Sequence, residues 1–270
     1  SDLQVTSLIS GTINERSITI MWTAPAGKEH FIDHFVLIYG PFDNSGSEIV
    51  KNVTLTNVTL ENLVPGKKYR IRIASVNTQT ALSERTISNT FYKISKPSMP
   101  GNLLQREKID VVSGNITLKW NMSEGVVNGY AVSLVNETYQ YNQFFSIITT
   151  TQQTFTQVRN GTNYRFSVYA VSGDTDTGVL NSDLRMDFIK TTVQIPNPPT
   201  NLSCLNATDR TINITWMQPL FPNGDILSYI ITIQQTDPSQ EAYNVTSKGT
   251  NVQYTVDGLT AGSYYKFQVY

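Results

Sequence analysis

The feature that most constrains this chain is a corner that occurs three times. Leu63 to Ala74 reads LVPGKKYRIRIA, Val158 to Ala170 reads VRNGTNYRFSVYA, and Leu259 to Val269 reads LTAGSYYKFQV. In each copy an aliphatic residue stands six positions before a tyrosine: Leu63 before Tyr69, Val158 before Tyr164, Leu259 before Tyr265. Turn formers fill the interval, and the tyrosine opens an alternating run (Tyr69, Ile71, Ile73; Tyr164, Phe166, Val168; Tyr265, Phe267, Val269) with the period of a half-buried strand. A buried phenol reaching back to a backbone group near the turn would fix such a corner.

Tryptophan gives the same period independently. The three tryptophans, Trp22, Trp120 and Trp216, each precede one corner, so the repeat is about a hundred residues long. Each ends an alternating run (SITIMW, NITLKW, TINITW), and ten to thirteen residues later comes another apolar strand: FVLIY from Phe35, YAVSL from Tyr130, YIITI from Tyr229. One aromatic-rich core per repeat follows, built on Trp22, Trp120 and Trp216 with Tyr69, Tyr164 and Tyr265.

The strand-ending tryptophans, the Tyr-x-Val-like strands after them and the Leu-x-Pro-Gly-x-x-Tyr corner at Leu63 to Tyr69 together resemble fibronectin type III domains. That resemblance covers essentially the whole chain. It implies an all-β fold of three tandem immunoglobulin-like sandwiches in an elongated array, at residues 1–95, 96–194 and 195–270, the last lacking its final strand. The second copy departs from the pattern by carrying Val158-Arg159-Asn160 in place of Leu-x-Pro. Junctions are expected at KPSMPGN (Lys96 to Asn102) and QIPNPPTN (Gln194 to Asn201), where proline stops ladder pairing and stiffens a short linker.

Charge is sparse and balanced, at 15 % of residues and net −1, without the basic excess of a nucleic-acid or anionic-membrane surface. The chain has no apolar run of about eighteen residues, and SDLQVTSLIS lacks a signal peptide's basic start and apolar centre, so a soluble, already trimmed fragment is expected. The lone Cys204 cannot form an intrachain disulfide. Two positions from Leu202 in NLSCL, it is expected to face inward and to resist a thiol reagent. Ten Asn-x-Ser/Thr sequons, at Asn52, Asn57, Asn115, Asn121, Asn136, Asn160, Asn201, Asn206, Asn213 and Asn244, point to the secretory pathway. Asn115 and Asn213 alternate out of phase with the inward residues and are expected to face solvent.

The residues offer no set for catalysis, and neither a cofactor nor a metal is expected. His30 and His34 are the only histidines, and on a strand their spacing is about 13 Å, too far for one metal. SGDTDTG, Ser172 to Gly178, reads as a mobile polar hairpin loop, since a calcium loop's further acidic ligands are missing. In some fibronectin type III domains this place carries an integrin-binding Arg-Gly-Asp; here Ser-Gly-Asp lacks the cation. Aromatic density in TYQYNQFF makes Tyr139 and Tyr141 candidate partner contacts, against ordinary surface or packing roles.

These features give an extracellular fragment of a cell-surface receptor or adhesion protein, at the outer side of the plasma membrane. Its expected partner is an extracellular protein ligand or a like receptor, not nucleic acid or a small-molecule substrate, and the parent chain is expected to be membrane-anchored. The alternative is a structural spacer of an adhesion or matrix glycoprotein. WNMSEGVVNGYAVSL, Trp120 to Leu134, resembles the ectodomains of receptor-type protein tyrosine phosphatases built only from these domains, which implies a membrane span and a cytoplasmic phosphatase domain outside this sequence.

Overall fold

The computed structural model describes residues 3–5, 7–77, 84–237 and 239–270; residues 78–83 of the loop expected at NTQTALSERT lie outside them. The described residues are nearly all strand or connection, with one three-residue 3-10 turn at Glu29–Phe31 and no α-helix. Two compact units divide the chain: Ser1–Gln105 with Thr117–Gln153 and Arg165–Phe188, and Arg106–Ile116 with Thr154–Tyr164 and Ile189–Tyr270.

The first repeat contains β1 (Leu8–Ile13), β2 (Ile18–Trp22), β3 (His34–Pro41), β4 (Ile49–Val53), β5 (Asn57–Leu60), β6 (Lys68–Asn77), β7 (Glu84–Ile87) and β8 (Phe91–Ile94). One sheet runs β1-β2-β5 and the other β4-β3-β6-β7, with β8 also on β6. Alternation turns Ile18, Ile20 and Trp22 of β2 toward Phe35, Leu37 and Tyr39 of β3 and Ile71 and Ile73 of β6, all in one buried cluster. Each fully buried aliphatic side chain there is worth about 1.5–3 kcal/mol. The Trp22 indole meets the Phe35 ring edge-on at 5.4 Å. Leu3 and Val5, expected on an opening strand, are buried but precede β1 as extended chain.

The second repeat contains β9 (Ile116–Lys119), β10 (Gly129–Asn136), β11 (Tyr141–Ile148), β12 (Gln152–Phe155), β13 (Asn163–Asp174), β14 (Gly178–Asn181) and β15 (Arg185–Lys190). Its larger sheet runs β11-β10-β13-β14, with β15 also on β13. Trp120 packs against Tyr130 and Phe166, each at 5.7 Å. The third repeat contains β16 (Thr200–Ala207), β17 (Ile212–Met217), β18 (Ser228–Asp237), β19 (Tyr243–Lys248), β20 (Gln253–Val256) and β21 (Tyr264–Val269), paired as β16-β17-β20 and β19-β18-β21. There Trp216 meets Tyr229 at 5.3 Å.

All three corners have one construction. The phenol oxygens of Tyr69, Tyr164 and Tyr265 accept the backbone N–H of Val64, Arg159 and Thr260, each at 2.8 Å. The turn between donor and tyrosine passes through a glycine in the left-handed region: Gly66 at φ 67°, Gly161 at 58°, Gly262 at 72°.

One expectation fails in the third repeat. Cys204 lies on a strand opposite the buried Ile214 but is exposed, as is every residue of β16, while Tyr265 is half-buried and packs against the core cluster of Ile214, Trp216 and Tyr229. Irregular register along β16, between Thr200 and Ser203 and between Cys204 and Asn206, breaks the alternation that an inward Cys204 requires.

Tyr164→Phe removes the acceptor for the buried corner and is expected to lower the stability of the second repeat by about 1–2 kcal/mol; an unchanged unfolding midpoint would contradict this. Cys204 is expected to be alkylated in the native chain as readily as after denaturation, and protection until unfolding would place it in the core.

Candidate interaction surfaces

The larger sheet of the second repeat has an unusual outer face. On β10, Tyr130, Val132 and Leu134 share the face of Tyr130, which packs on Trp120, and Ala131, Ser133 and Val135 share the opposite one, where Ala131 is also buried and Ser133 and Val135 are half-buried. Register carries that face across the sheet: Ser133 pairs with Phe144 on β11 and with Ser167 on β13, and Ala131 pairs with Tyr169. On β15 the buried Ile189 fixes the parity, and Met186 and Phe188 point outward. Phe144 is 57 % and Phe188 70 % exposed. They flank a floor of serines across about 14 Å of sheet, and the Arg165–Glu137 ion pair, at 3.5 Å, adds charge beside them.

The other two repeats treat the equivalent face differently. Three residues after the aromatic side chain that stacks on tryptophan stand Ile38, Ser133 and Thr232, whose neighbours on the next strand are Val50, Phe144 and Asn244. Asn244 is a sequon asparagine, and in the first repeat the sequon Asn52 faces the same way, opposite Val36. Where the third repeat offers a glycan site, the second offers an exposed phenyl ring.

Of the residues singled out in TYQYNQFF, Tyr139 is 41 % exposed in the turn before β11, its backbone N–H bonded to the Asn136 side chain at 2.8 Å. Tyr141 is half-buried opposite Asn136, on the core-side parity. The sequence reading did not single out Phe188 or Met186, although the alternation in RMDFIK marks them. Among the sequons, Asn52, Asn57, Asn115, Asn121, Asn201, Asn206 and Asn244 are exposed, while Asn136, Asn160 and Asn213 are half-buried. Asn213 therefore departs from the expected solvent-facing position: its Oδ1 is buried without a hydrogen-bond partner, in a hollow shared with Tyr254 and Thr246.

A second surface joins the first two repeats. Val126 donates its backbone N–H to the Pro65 carbonyl at 2.9 Å, and Ser172 and Ser98 donate hydroxyl bonds to the Val126 and Glu124 carbonyls. The approach requires glycine on both sides: a Cβ on Gly66 would stand 1.9 Å from the Val126 oxygen, and one on Gly125 2.3 Å from the Pro65 oxygen. SGDTDTG is not a loose loop. It is the tight end of the β13–β14 hairpin, with Asp174 Oδ1 accepting the N–H groups of Asp176 and Thr177 at 3.0 Å. The other oxygen of Asp174 and one of Asp176 receive the Lys68 ammonium at 2.8 Å each. That ammonium also lies 4.6 Å from the Phe42 ring centre and 4.9 Å from that of Tyr92, on a side chain only 14 % exposed. The Arg16–Glu124 pair bridges the same repeats, and Lys96 of the junction pairs with Asp183 of the second.

The Lys68 ammonium and the turn N–H groups hold the Asp174 carboxyl down to about 2, from an ordinary 3.8. A depressed carboxylate stabilises fully above its unfolded pKa, so this contribution is complete above about pH 4 and is lost as pH falls through about 2. Lys68 is raised, chiefly by its bonds to Asp174 and Asp176, so its part disappears only as pH rises through that elevated value. Lys68→Met is expected to speed hydrogen exchange of the Val126 amide several-fold at neutral pH, with the corner amides Val64 and Arg159 unaffected. Unchanged exchange at Val126 would show that Lys68 does not hold the joint.

No group of three metal-ligating side chains occurs among the described residues. His30 lies in the 3-10 turn against Phe31, and His34 Nδ1 is 2.7 Å from Asp33 Oδ2. No described helix is long and apolar enough to cross a membrane.

The fibronectin type III domain profile matches residues 4–91, 100–181 and 197–270. The chain is 25 % identical over 249 residues to the human phosphatidylinositol phosphatase PTPRQ, covering 89 % of this chain and 10 % of that protein. It is 25 % identical over 276 residues to the human receptor-type tyrosine-protein phosphatase H, covering 98 % and 23 %. With chicken tenascin it shares 23 % identity over 254 residues, covering 90 % and 13 %. The chain thus spans less than a quarter of the length of each relative. The profile takes in all three indole-centred cores and their tyrosine corners, and the chain belongs to the fibronectin type III family.

Proposed function

We propose that this chain is a stretch of the extracellular part of a membrane-anchored receptor or adhesion protein, and that it receives a protein partner on the outer sheet face of its second repeat. The observation that carries this reading is the exposed Phe144 at the position where the third repeat has the sequon Asn244. Aromatic anchors beside small residues and a flanking ion pair are the composition of a protein-recognition patch, because a ring buried on contact brings apolar area at little conformational cost. The sequons on the equivalent faces of the neighbouring repeats would carry glycans that leave those faces covered.

Similarity to a receptor-type tyrosine-protein phosphatase and to PTPRQ supports a parent of that receptor class, with any phosphatase chemistry in a cytoplasmic domain outside this sequence. The chain itself takes no catalytic step in this reading. A spacer role is the second reading, favoured by the bonded joint at Lys68 and by the similarity to tenascin.

The two readings separate in a binding experiment with the intact chain on cells. Recognition through this face predicts that Phe144→Ser with Phe188→Ser reduces cell-surface binding at least tenfold, while Tyr264→Ser in the third repeat leaves it unchanged. Equal loss in both variants would remove the face from the account, and no binding by the native chain would leave the spacer.

A further inference from the structure

The sequon Asn160-Gly161-Thr162 occupies a place unlike that of the other sequons. It forms the corner turn of the second repeat, and the third repeat's Asn223-Gly224 turn lies directly against it. A Cβ on Gly161 would stand 2.5 Å from both the Asn223 oxygen and the Gly224 Cα. The Asn160 side-chain amide points its Nδ2 at the Asn223 Oδ1, 3.4 Å away, and its Oδ1 is shut off from solvent without a partner. Asn223 is itself fixed by two bonds to the linker: its carbonyl accepts the Gln194 N–H at 3.0 Å and its Nδ2 donates to the Ile195 carbonyl at 2.9 Å. The nitrogen that would carry a glycan therefore faces the neighbouring repeat's Asn223 side chain.

We propose that Asn160 is a glycan-sensitive latch: its bare carboxamide lets the second repeat's corner close on the Asn223 turn, and an N-linked sugar there holds the two turns apart. Attachment replaces one Nδ2–H with a bond to the anomeric carbon of N-acetylglucosamine. A lipid-linked oligosaccharide diphosphate supplies the sugar, and the lipid diphosphate leaves with the proton. A new C–N single bond of about 1.45 Å directed along the 3.4 Å line to the Asn223 Oδ1 would bring the first sugar carbon inside van der Waals contact with that oxygen. The unpartnered Asn160 Oδ1 is consistent with a contact that costs some desolvation to close and so can be tipped open. Use of the latch in a cell rests on the extracellular reading above; the latch itself can be tested on purified protein in any compartment's absence.

The test attaches a sugar chemically at a defined position. In a Cys204→Ser background, Asn160→Cys is alkylated with an iodoacetamide derivative of N-acetylglucosamine, and Asn57→Cys, at an exposed sequon, is treated identically. The readout is hydrogen exchange at the Gln194 amide, which is protected while Asn223 is in place. The expected result is at least tenfold faster exchange in the Asn160 conjugate than in unmodified Asn160→Cys, with no change in the Asn57 pair. Unchanged exchange would overturn the proposal. So would slower exchange, which would mean the sugar settles into the roughly 310 Å³ hollow lined by Val158, Asn160 and Phe221 and tightens the joint. Unmodified Asn160→Cys exchanging as fast as its conjugate would also overturn it, because sugar bulk would then have no role.

Discussion

The hydrogen bond from a turn amide to a tyrosine oxygen six residues after the turn's aliphatic anchor is the constraint on which the rest depends. It lets the chain reverse into a buried strand without abandoning a backbone donor inside the protein, a loss of about 1–3 kcal/mol. The bond closes only if the chain between passes through a left-handed residue, and each repeat supplies a glycine there. The same glycine has a second consequence. A turn without a Cβ is a place where another backbone can come within contact, and in the first two repeats the following repeat does so, at Val126 and at Asn223. Gly262, the third of the series, has nothing within 4 Å.

Around those corners the two kinds of surface divide the chemistry. The joint of the first two repeats is polar and specific, with an ammonium held between two carboxylates and two rings. Such a pair is screened at its exposed carboxylate side, so it sets geometry more than stability. The outer face of the second repeat sets the exposed Phe144 and Phe188 beside serines and carries no sequon on its central rows.

Much of this was legible in the sequence, and the reasons are particular. Trp22, Trp120 and Trp216 and the corner tyrosines recur with the repeat, and burial on one face of each strand repeats with period two, so repeat number and strand identity could be read directly. Cys204 could not be placed this way, because the register of β16 shifts on either side of it and the alternation no longer says which way it faces. SGDTDTG read as a loose loop because its partner, Lys68, lies more than a hundred residues away in the chain, where no local pattern reaches. Which aromatic of TYQYNQFF turns outward could not be read locally, because the register of β11 against β10 that exposes Phe144 and turns Tyr141 to the core side is a matter of tertiary pairing. Asn160 looked like any other sequon until the Asn223 turn was seen against it.

The central claim is that one glycine turn both closes a repeat and seats the next. It is tested most directly by comparing Gly66→Ala with Gly262→Ala by calorimetry of the whole chain. A left-handed alanine alone costs about 1–2 kcal/mol, and Gly262→Ala is predicted to lose no more than that. Gly66→Ala is predicted to lose clearly more and to uncouple the first repeat's transition from the second's, since its methyl displaces the Val126 carbonyl. Equal losses at the two positions, with the coupling intact, would contradict the account.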